Sequence, residues 1–445
     1  MQILRRFIIV FACCFGMIAA SAQQSLLSSG PMVSYSEMNE TAIWVQLQGP
    51  GEVQIAYWPE GQPKEVRLSA TVVADSHYAF IALVPIADLL HSTKYEYHLF
   101  INGKRCEFVY PTTFQTQVLW QWRQDPPDFS FTMGSCFYHN QEETDRPGRA
   151  FGGDYQIMTN IYSKSPDFML WLGDNVYLRE PDWNSRSGYY HRYTHTRSMK
   201  ELQPLLANTH HYAVWDDHDY GPNDSDGTWK LKEVALESFN AFWPTTHLNA
   251  TGAGGITQHF QWSDCDFFLL DDRWFKSPNV KPGTVLGAAQ LEWLKLNLLS
   301  SKAPFKFVAM GVMFLSTAAN KENMSKAGVK EREELIAFIQ ENNIEGVIFL
   351  TGDRHFSELS LLSAKGKVPI YDLTCSALTA GPASSRYVNE KNDLRVKGTE
   401  FYQRNFSRIS VSGTPKERKL LMQLFDANGK EIWSRSLSTS EFTTK

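Results

Sequence analysis

The chain has 445 residues, 43% of them apolar, and a formal charge of −5 at neutral pH. That length exceeds what one domain ordinarily needs and can bury a sizeable core. So small a net charge argues against a nucleic-acid binder driven by bulk positive charge.

The N-terminus reads MQILRRFIIVFACCFGMIAASAQQ. Arg5 and Arg6 precede an apolar stretch over residues 7–19, too short to span a bilayer comfortably, and a small-residue step ends at Ala22. The pattern predicts a signal peptide over residues 1–22 and an exported mature protein, periplasmic or secreted. The arginine pair leaves the general and twin-arginine routes both open. No later segment has about 18 continuous apolar residues, so no transmembrane segment is expected in the mature chain. Cys106, Cys136, Cys265 and Cys375 then face an oxidising compartment. Four cysteines allow three pairings, and sequence does not choose among these, burial and ligation.

Residues 23–118 read as a small β-sandwich of the fibronectin or immunoglobulin kind. TAIWVQLQG, EVQIAYWP, HYAFIALVP, KYEYHLFING and EFVYPTTF are rich in β-branched and aromatic residues and bounded by Gly, Pro and Asn. A linker over 119–127 ends in a double proline. Beyond it, over 128–445, apolar strands alternate with helical segments. Strands are expected in DFSFTM, DFMLWL, YAVW, CDFFLL, FKFVAMGVMF and EGVIFL, and helices over roughly 187–206, 229–242, 288–300 and 330–342. Leu291, Leu294 and Leu298 share one helical face, and Leu335, Ile336 and Ile339 another. This alternation predicts an α/β domain with helix-covered sheets. FSRISVSG and KLLMQLFDANGKEIW form a terminal strand group turning at ANGK.

Four of these strands end alike. FSFTM runs into Gly134-Ser135-Cys136, FMLWL into Gly173-Asp174-Asn175-Val176-Tyr177, YAVW into WDDHDYGPND, and GVIFL into Thr351-Gly352-Asp353-Arg354-His355. Ligands of α/β sheets bind at carboxyl ends of strands. A lone Gly-Asp step is usually a turn and a lone cysteine usually core, but four such ends delivering acids, histidines, a thiol and a phenol define a candidate site. So many acids on one rim repel unless cations neutralise them. Carboxylate and amide oxygens suit Ca2+, Mg2+ or Mn2+. A phenol of pKa near 10 beside a thiol calls for a stronger Lewis acid, which ferric iron satisfies.

Taken in order, GSC, GDNVY, WDDHDYGPND, LDDR, LGAAQLEWL and FLTGDRHFSEL resemble the PhoD-like alkaline phosphatases of the metallophosphatase superfamily, over about residues 30–440. The resemblance implies a four-layer αββα catalytic domain behind the β-sandwich, and a centre of one Fe3+ with two Ca2+. Carried over residue by residue, the implied ligands are Cys136, Asp174, Tyr177, Asn223, Asp353 and His355. Asp217 and His218 then line the phosphate position or support the ligands. Gly221-Pro222 replaces a more polar step before Asn223, and the chain ends in strands where some relatives carry a helix over the site.

The implied activity is an exported phosphoric ester hydrolase acting on small phosphomonoesters or phosphodiesters, with a metal-activated water as nucleophile. His218 is the candidate proton donor to the leaving oxygen. Arg273, in LLDDRW, is read either as a bidentate phosphate clamp or as an ion pair with Asp271 or Asp272, and Arg354 carries the same two readings. No G-x-S-x-G step occurs, and Ser135 is the weaker candidate nucleophile. The reading from another class is a non-catalytic secreted binding protein retaining the fold, against which the full set of ligand types speaks.

Overall fold

The computed structural model describes residues 26–246, 248–281, 283–318, 322–383 and 390–444. The expected signal peptide lies outside them. Among the described residues no helix is long and apolar enough to cross a membrane. By its contacts the chain divides into two compact units, one running to Val118 and including Leu202–His210, the other Leu119–Glu201 with His211–Lys445.

The first unit is a β-sandwich. One sheet orders Leu27–Ser36, Thr41–Leu47 and Ile81–Ile86, all antiparallel. The other centres on Gly51–Pro59 paired with Lys94–Ile101. Alternation drives the packing: in Lys94–Ile101, Tyr95, Tyr97, Leu99 and Ile101 point into a core shared with Ile43, Val45, Val84 and Phe114. EFVYPTTF pairs only from Thr113, because Pro111 removes a ladder donor just before it. The segment 202–210 joins this unit through its helix Gln203–Asn208: the Tyr97 hydroxyl donates to the Ala207 carbonyl at 3.0 Å and the Gly30 amide to Gln203 Oε1 at 2.9 Å. The single helix expected over 187–206 is therefore two, Arg186–Arg197 and Gln203–Asn208, the second opening on Pro204, which lacks the amide a continuous helix would use.

The second unit stacks two six-stranded sheets. The first runs His210–Val214, Phe168–Leu172, Phe129–Gly134, Asn405–Ser412, Lys419–Asp426, Glu431–Ser438. Its last three strands are the antiparallel tail, turning at 427–430, where Gly429 has φ +78°. The second sheet runs Gln258–Trp262, Cys265–Leu269, Lys306–Ala309, Val347–Thr351, Ile370–Thr374, Glu358–Leu362, parallel in its middle and antiparallel at both edges. The sheets meet through aromatic rings set edge to face: Phe131 lies 5.3 Å from Phe267 and 5.4 Å from Phe307. Helices Ala288–Ser300 and Val329–Glu341 cover the second sheet, burying Leu291, Leu294, Leu298, Leu335 and Ile339 on Phe268, Val308 and Phe349. Each such leucine stabilises the packing by about 1.5–3 kcal/mol. On the first sheet Trp171 stacks with Trp243 at 5.3 Å and donates from Nε1 to His211 Nδ1 at 3.0 Å. The fold is the expected α/β sandwich of two mixed sheets, with a β-sandwich before it.

Candidate metal centre

The parallel strands Phe129–Gly134, Phe168–Leu172 and Val347–Thr351 run straight into the site loops, so backbone direction alone brings those loops to one end of the sheet pair. The loops are then tied together. The Cys136 amide donates to the Gly173 carbonyl at 3.1 Å and the Phe137 amide to the Asp174 carbonyl at 2.8 Å. Gly352 is glycine for a steric reason: a Cβ there would meet Ser135 Oγ at 2.6 Å and the Leu172 carbonyl oxygen at 2.7 Å. Cys136, Asp174, Asp353 and His355 have φ of +59°, +51°, +65° and +57°. Non-glycine residues adopt this left-handed region at a cost, and four together mark a backbone bent to aim side chains.

Two donor groups result. Atoms of Cys136, Asp174 and His355 lie within 4.8 Å of one another, and so do atoms of Asp174, Asp217 and His218. Asp174 belongs to both. The Tyr177 hydroxyl is 3.2 Å from His355 Nε2, and its ring is 4.3 Å from that of His218. His355 Nδ1 is engaged by the Gly381 carbonyl, which leaves Nε2 facing Tyr177. The Asp353 carbonyl is 3.6 Å from Cys136 Sγ. Asn223 lines the pocket that also contains Tyr177 and His218, but is exposed there.

The WDDHDYGPND segment divides its side chains by one helical turn, Asp217–Tyr220. Asp217 and His218 face the donor groups. Asp216 turns to Arg273, whose Nε donates to Asp216 Oδ1 at 2.5 Å. Asp219 turns back to accept from the Asn175 amide at 3.0 Å. Asp217 is thereby a donor in its own right rather than only a lining residue.

Arg273 follows the ion-pair reading rather than the clamp reading, with partners beyond its neighbours. It is fully buried and holds Asp216 and Glu322, the latter at 2.9 Å, with Asp272 at 3.5 Å; Asp271 accepts only its backbone amide. Lys276 adds a 3.0 Å contact to Glu322. The guanidinium is a fixed internal counter-charge, not an open phosphate clamp. Arg354 is likewise committed, with both Glu390 oxygens at 2.8 Å.

The electrostatics of the donor groups are those of a cation site. Burial lifts the Cys136 thiol to about 12, against hydrogen bonds from Ser376 and Ser135. Burial, then neighbouring Cys136, Asp217, Asp219 and Asp353, pushes Asp174 well above the carboxylate range. Burial raises Asp353 to about 7 despite Arg354, and raises Tyr177 too. Burial lowers His218 and His355. Asp217 goes the other way, because His218 and Arg273 outweigh its burial. Asp353 Oδ2 and His218 Nδ1 are buried without a hydrogen-bond partner. Buried acids and orphaned acceptors of this kind are stabilised by a metal cation, and the donor set of thiol, phenol, imidazole and carboxylate fits one.

Sequence reasoning missed Ser376, whose hydroxyl donates to Cys136 Sγ at 3.1 Å and accepts from the His355 amide at 2.9 Å. It missed Glu322 as the partner of Arg273, and Arg179 in the pocket wall. Glu322 lies in no strand-end motif; Arg179 is two residues past Tyr177, and Ser376 two residues past the strand Ile370–Thr374, which is absent from the strands read in the sequence. All four described cysteines are buried and unbridged.

Two stacked mixed sheets bearing such a centre at their strand ends define a metallophosphatase-type fold. A family model described as PhoD-like phosphatase matches residues 131–411, and the chain belongs to that family. A second model, a domain of unknown function (DUF7800), matches residues 24–119. The chain is 23% identical over 365 residues to alkaline phosphatase D of Bacillus subtilis (strain 168), covering 68% of this chain and 60% of that protein. It thus spans less than two thirds of that relative's length. Among solved structures, one described as the structure of PhoD superimposes with a TM-score of 0.74 at 17% identity, covering 92% of this chain and 93% of the other. The purple acid phosphatase PPD1 from seeds of yellow lupin (Lupinus luteus) superimposes with a TM-score of 0.67 at 11% identity, covering 92% and 74%. At these identities the likeness is one of fold.

Proposed function

We propose that the protein is an exported, metal-dependent phosphoric ester hydrolase of the alkaline phosphatase D type, acting on small phosphomonoesters, phosphodiesters or both. The observation that carries this reading is the pair of donor groups sharing Asp174. A carboxylate common to two groups would serve two cations at once. Cys136, Asp174, Tyr177 and His355 would hold ferric iron, joined by Asp353. Asp174, Asp217 and Asn223 would serve oxygen-preferring ions, two Ca2+ or Mg2+ or Mn2+ in their place, which leaves His218 for proton transfer. When bound, such ions offset the charge of phosphoryl oxygens and acidify a water.

The chain's own residues supply the rest. Asp174 fixes the position of His218 by accepting from its backbone amide at 3.2 Å. His218 lines the pocket, and its Nδ1 is free of protein partners. Burial lowers the His218 pKa, and an anionic ester beside it would favour the charged ring and place a proton near the leaving oxygen. The expected division of labour puts every one of these groups in 128–445 and none in the N-terminal β-sandwich.

The test is elemental analysis and visible absorption of the purified protein, beside phosphate release from aryl phosphate and bis-aryl phosphate. Iron with calcium, a visible phenolate band, and loss of that band in Tyr177→Phe with folding retained are expected. Zinc alone, or turnover indifferent to chelator, would overturn the mixed centre.

A further inference from the structure

Of the donor groups, His218 lines a pocket of about 190 Å3, with Tyr177 and Asn223 beside it, and the pocket wall is basic. Its lining includes Arg146, Arg149 and Arg179 beside Tyr177 and His218, with Asp145 as the one carboxylate. Asp145 is already engaged, accepting from the Tyr138 hydroxyl at 2.6 Å and the Gln141 amide at 3.0 Å. Arg146 is exposed and only loosely paired, 3.7 Å from Glu180; Arg149 is exposed.

Arg179 is the telling residue. It is 6% exposed, yet no carboxylate among the described residues is paired with it, and its Nε is buried without a hydrogen-bond partner. Buried guanidinium groups are ordinarily matched to carboxylates, as Arg192 is to Asp182 at 2.8 Å a short way along the chain. An unmatched one in a pocket wall awaits an anion from outside. Its carbon lies 5.5 Å from the ring centre of Tyr138, which packs 5.1 Å from that of Tyr177. One aromatic ring thus links the guanidinium to the candidate ligand phenol. The charge stands in the same pocket wall as Tyr177 and His218. Phe151 continues this wall, 5.0 Å from Tyr138 and 5.8 Å from His355.

Building on the hydrolase reading, we propose that Arg179, with Arg149 and Arg146 at the rim, binds a second anionic group of the substrate. The preferred substrate class is then a phosphate ester whose leaving group itself carries a carboxylate or a further phosphate. Arg179 provides the desolvated, specific contact. The two exposed arginines raise the local concentration of polyanions and do so less at high salt.

Two measurements on the full chain test this. The first compares kcat/KM for phenyl phosphate and 4-carboxyphenyl phosphate in the wild type, Arg179→Gln, Arg179→Lys, Arg149→Gln and the surface control Lys416→Gln. The wild type should favour the carboxylated ester. Arg179→Gln should cut that preference about tenfold or more, the scale of one lost charge-assisted hydrogen bond, mainly through KM. Arg179→Lys should restore part of it. Arg149→Gln should reduce it less, with a weaker salt dependence. The second is calorimetric binding of phosphonoacetate against methylphosphonate, which needs no turnover; Arg179→Gln should weaken the first ligand more than the second. Equal losses for both esters, or for both phosphonates, would overturn the assignment and leave the hydrolase reading standing. Arg179-dependent phosphonoacetate binding in a protein that hydrolyses no ester would do the reverse. Should Arg179→Gln fail to fold, the rim variant Arg149→Gln and the wild-type preference decide: no preference, or no change in it, refutes the proposal.

Discussion

Two clusters of buried acids lie side by side in the second unit, and they solve the same problem in opposite ways. In one, Asp216, Asp272 and Glu322 surround Arg273 and Lys276, and the protein supplies its own counter-charges. In the other, the groups acting most strongly on Asp174 after burial are further acids, Cys136, Asp217, Asp219 and Asp353. The two are joined at consecutive residues, Asp216 and Asp217. The difference lies in the counter-charge, not in orphaned atoms or raised acids, which both clusters have: the first holds Arg273 and Lys276 in direct contact, whereas the strongest influences on Asp174 after burial are acids that an external cation would offset.

The comparison breaks most sharply at the shared carboxylate. Asp174→Asn keeps the shape and removes the bridging charge, so turnover on an aryl phosphate should fall by about three orders of magnitude or more, with metal content falling in parallel. Metal analysis and circular dichroism on the same sample check this; full metal occupancy with full turnover would dissolve the distinction between the clusters. The next effect belongs to the satisfied cluster. Arg273→Met strands Asp216, leaves Glu322 with Lys276 alone, and should cost about 3–5 kcal/mol in urea unfolding, part of which Asp216→Leu should recover in the double variant. A cost below about 1 kcal/mol would show that Arg273 is not the counter-charge its contacts indicate.

The smallest effect is a pH slope of the metal-free protein. Burial raises Asp353 from an ordinary 3.8 to about 7, so the folded state holds a proton that the unfolded state releases. This group's contribution to folding is therefore most favourable below about pH 4 and is lost as pH rises to about 7. The melting temperature of the metal-free wild type should decline across that window relative to Asp353→Asn, and metal loading should flatten the difference. Identical slopes in both proteins would place Asp353 in a solvated setting.

Much of the centre was legible in the chain because strand direction is legible. An apolar run followed by Gly-Asp or Gly-Ser-Cys places those residues at a carboxyl edge, and parallel neighbours bring such edges together. The terminal hairpin was legible for a similar local reason, since ANGK supplies the turn that Gly429 makes at positive φ. Pairing across the fold was not legible. Arg273 pairs with the adjacent Asp272, but its closer contacts are Asp216 and Glu322, 57 and 49 residues away.

The sequence by itself determined the α/β alternation and which strand ends carry the candidate donor residues, because these depend on residue type and local periodicity. Only the tertiary structure decided that one helical turn sends Asp216, Asp217 and Asp219 to three different partners, that Leu202–His210 belongs with the N-terminal unit, and that Arg179 is buried without a mate. The physical reason is that a charge is settled by whatever lies within a few ångströms of it, and those neighbours come from other strands and loops whose register no local pattern records.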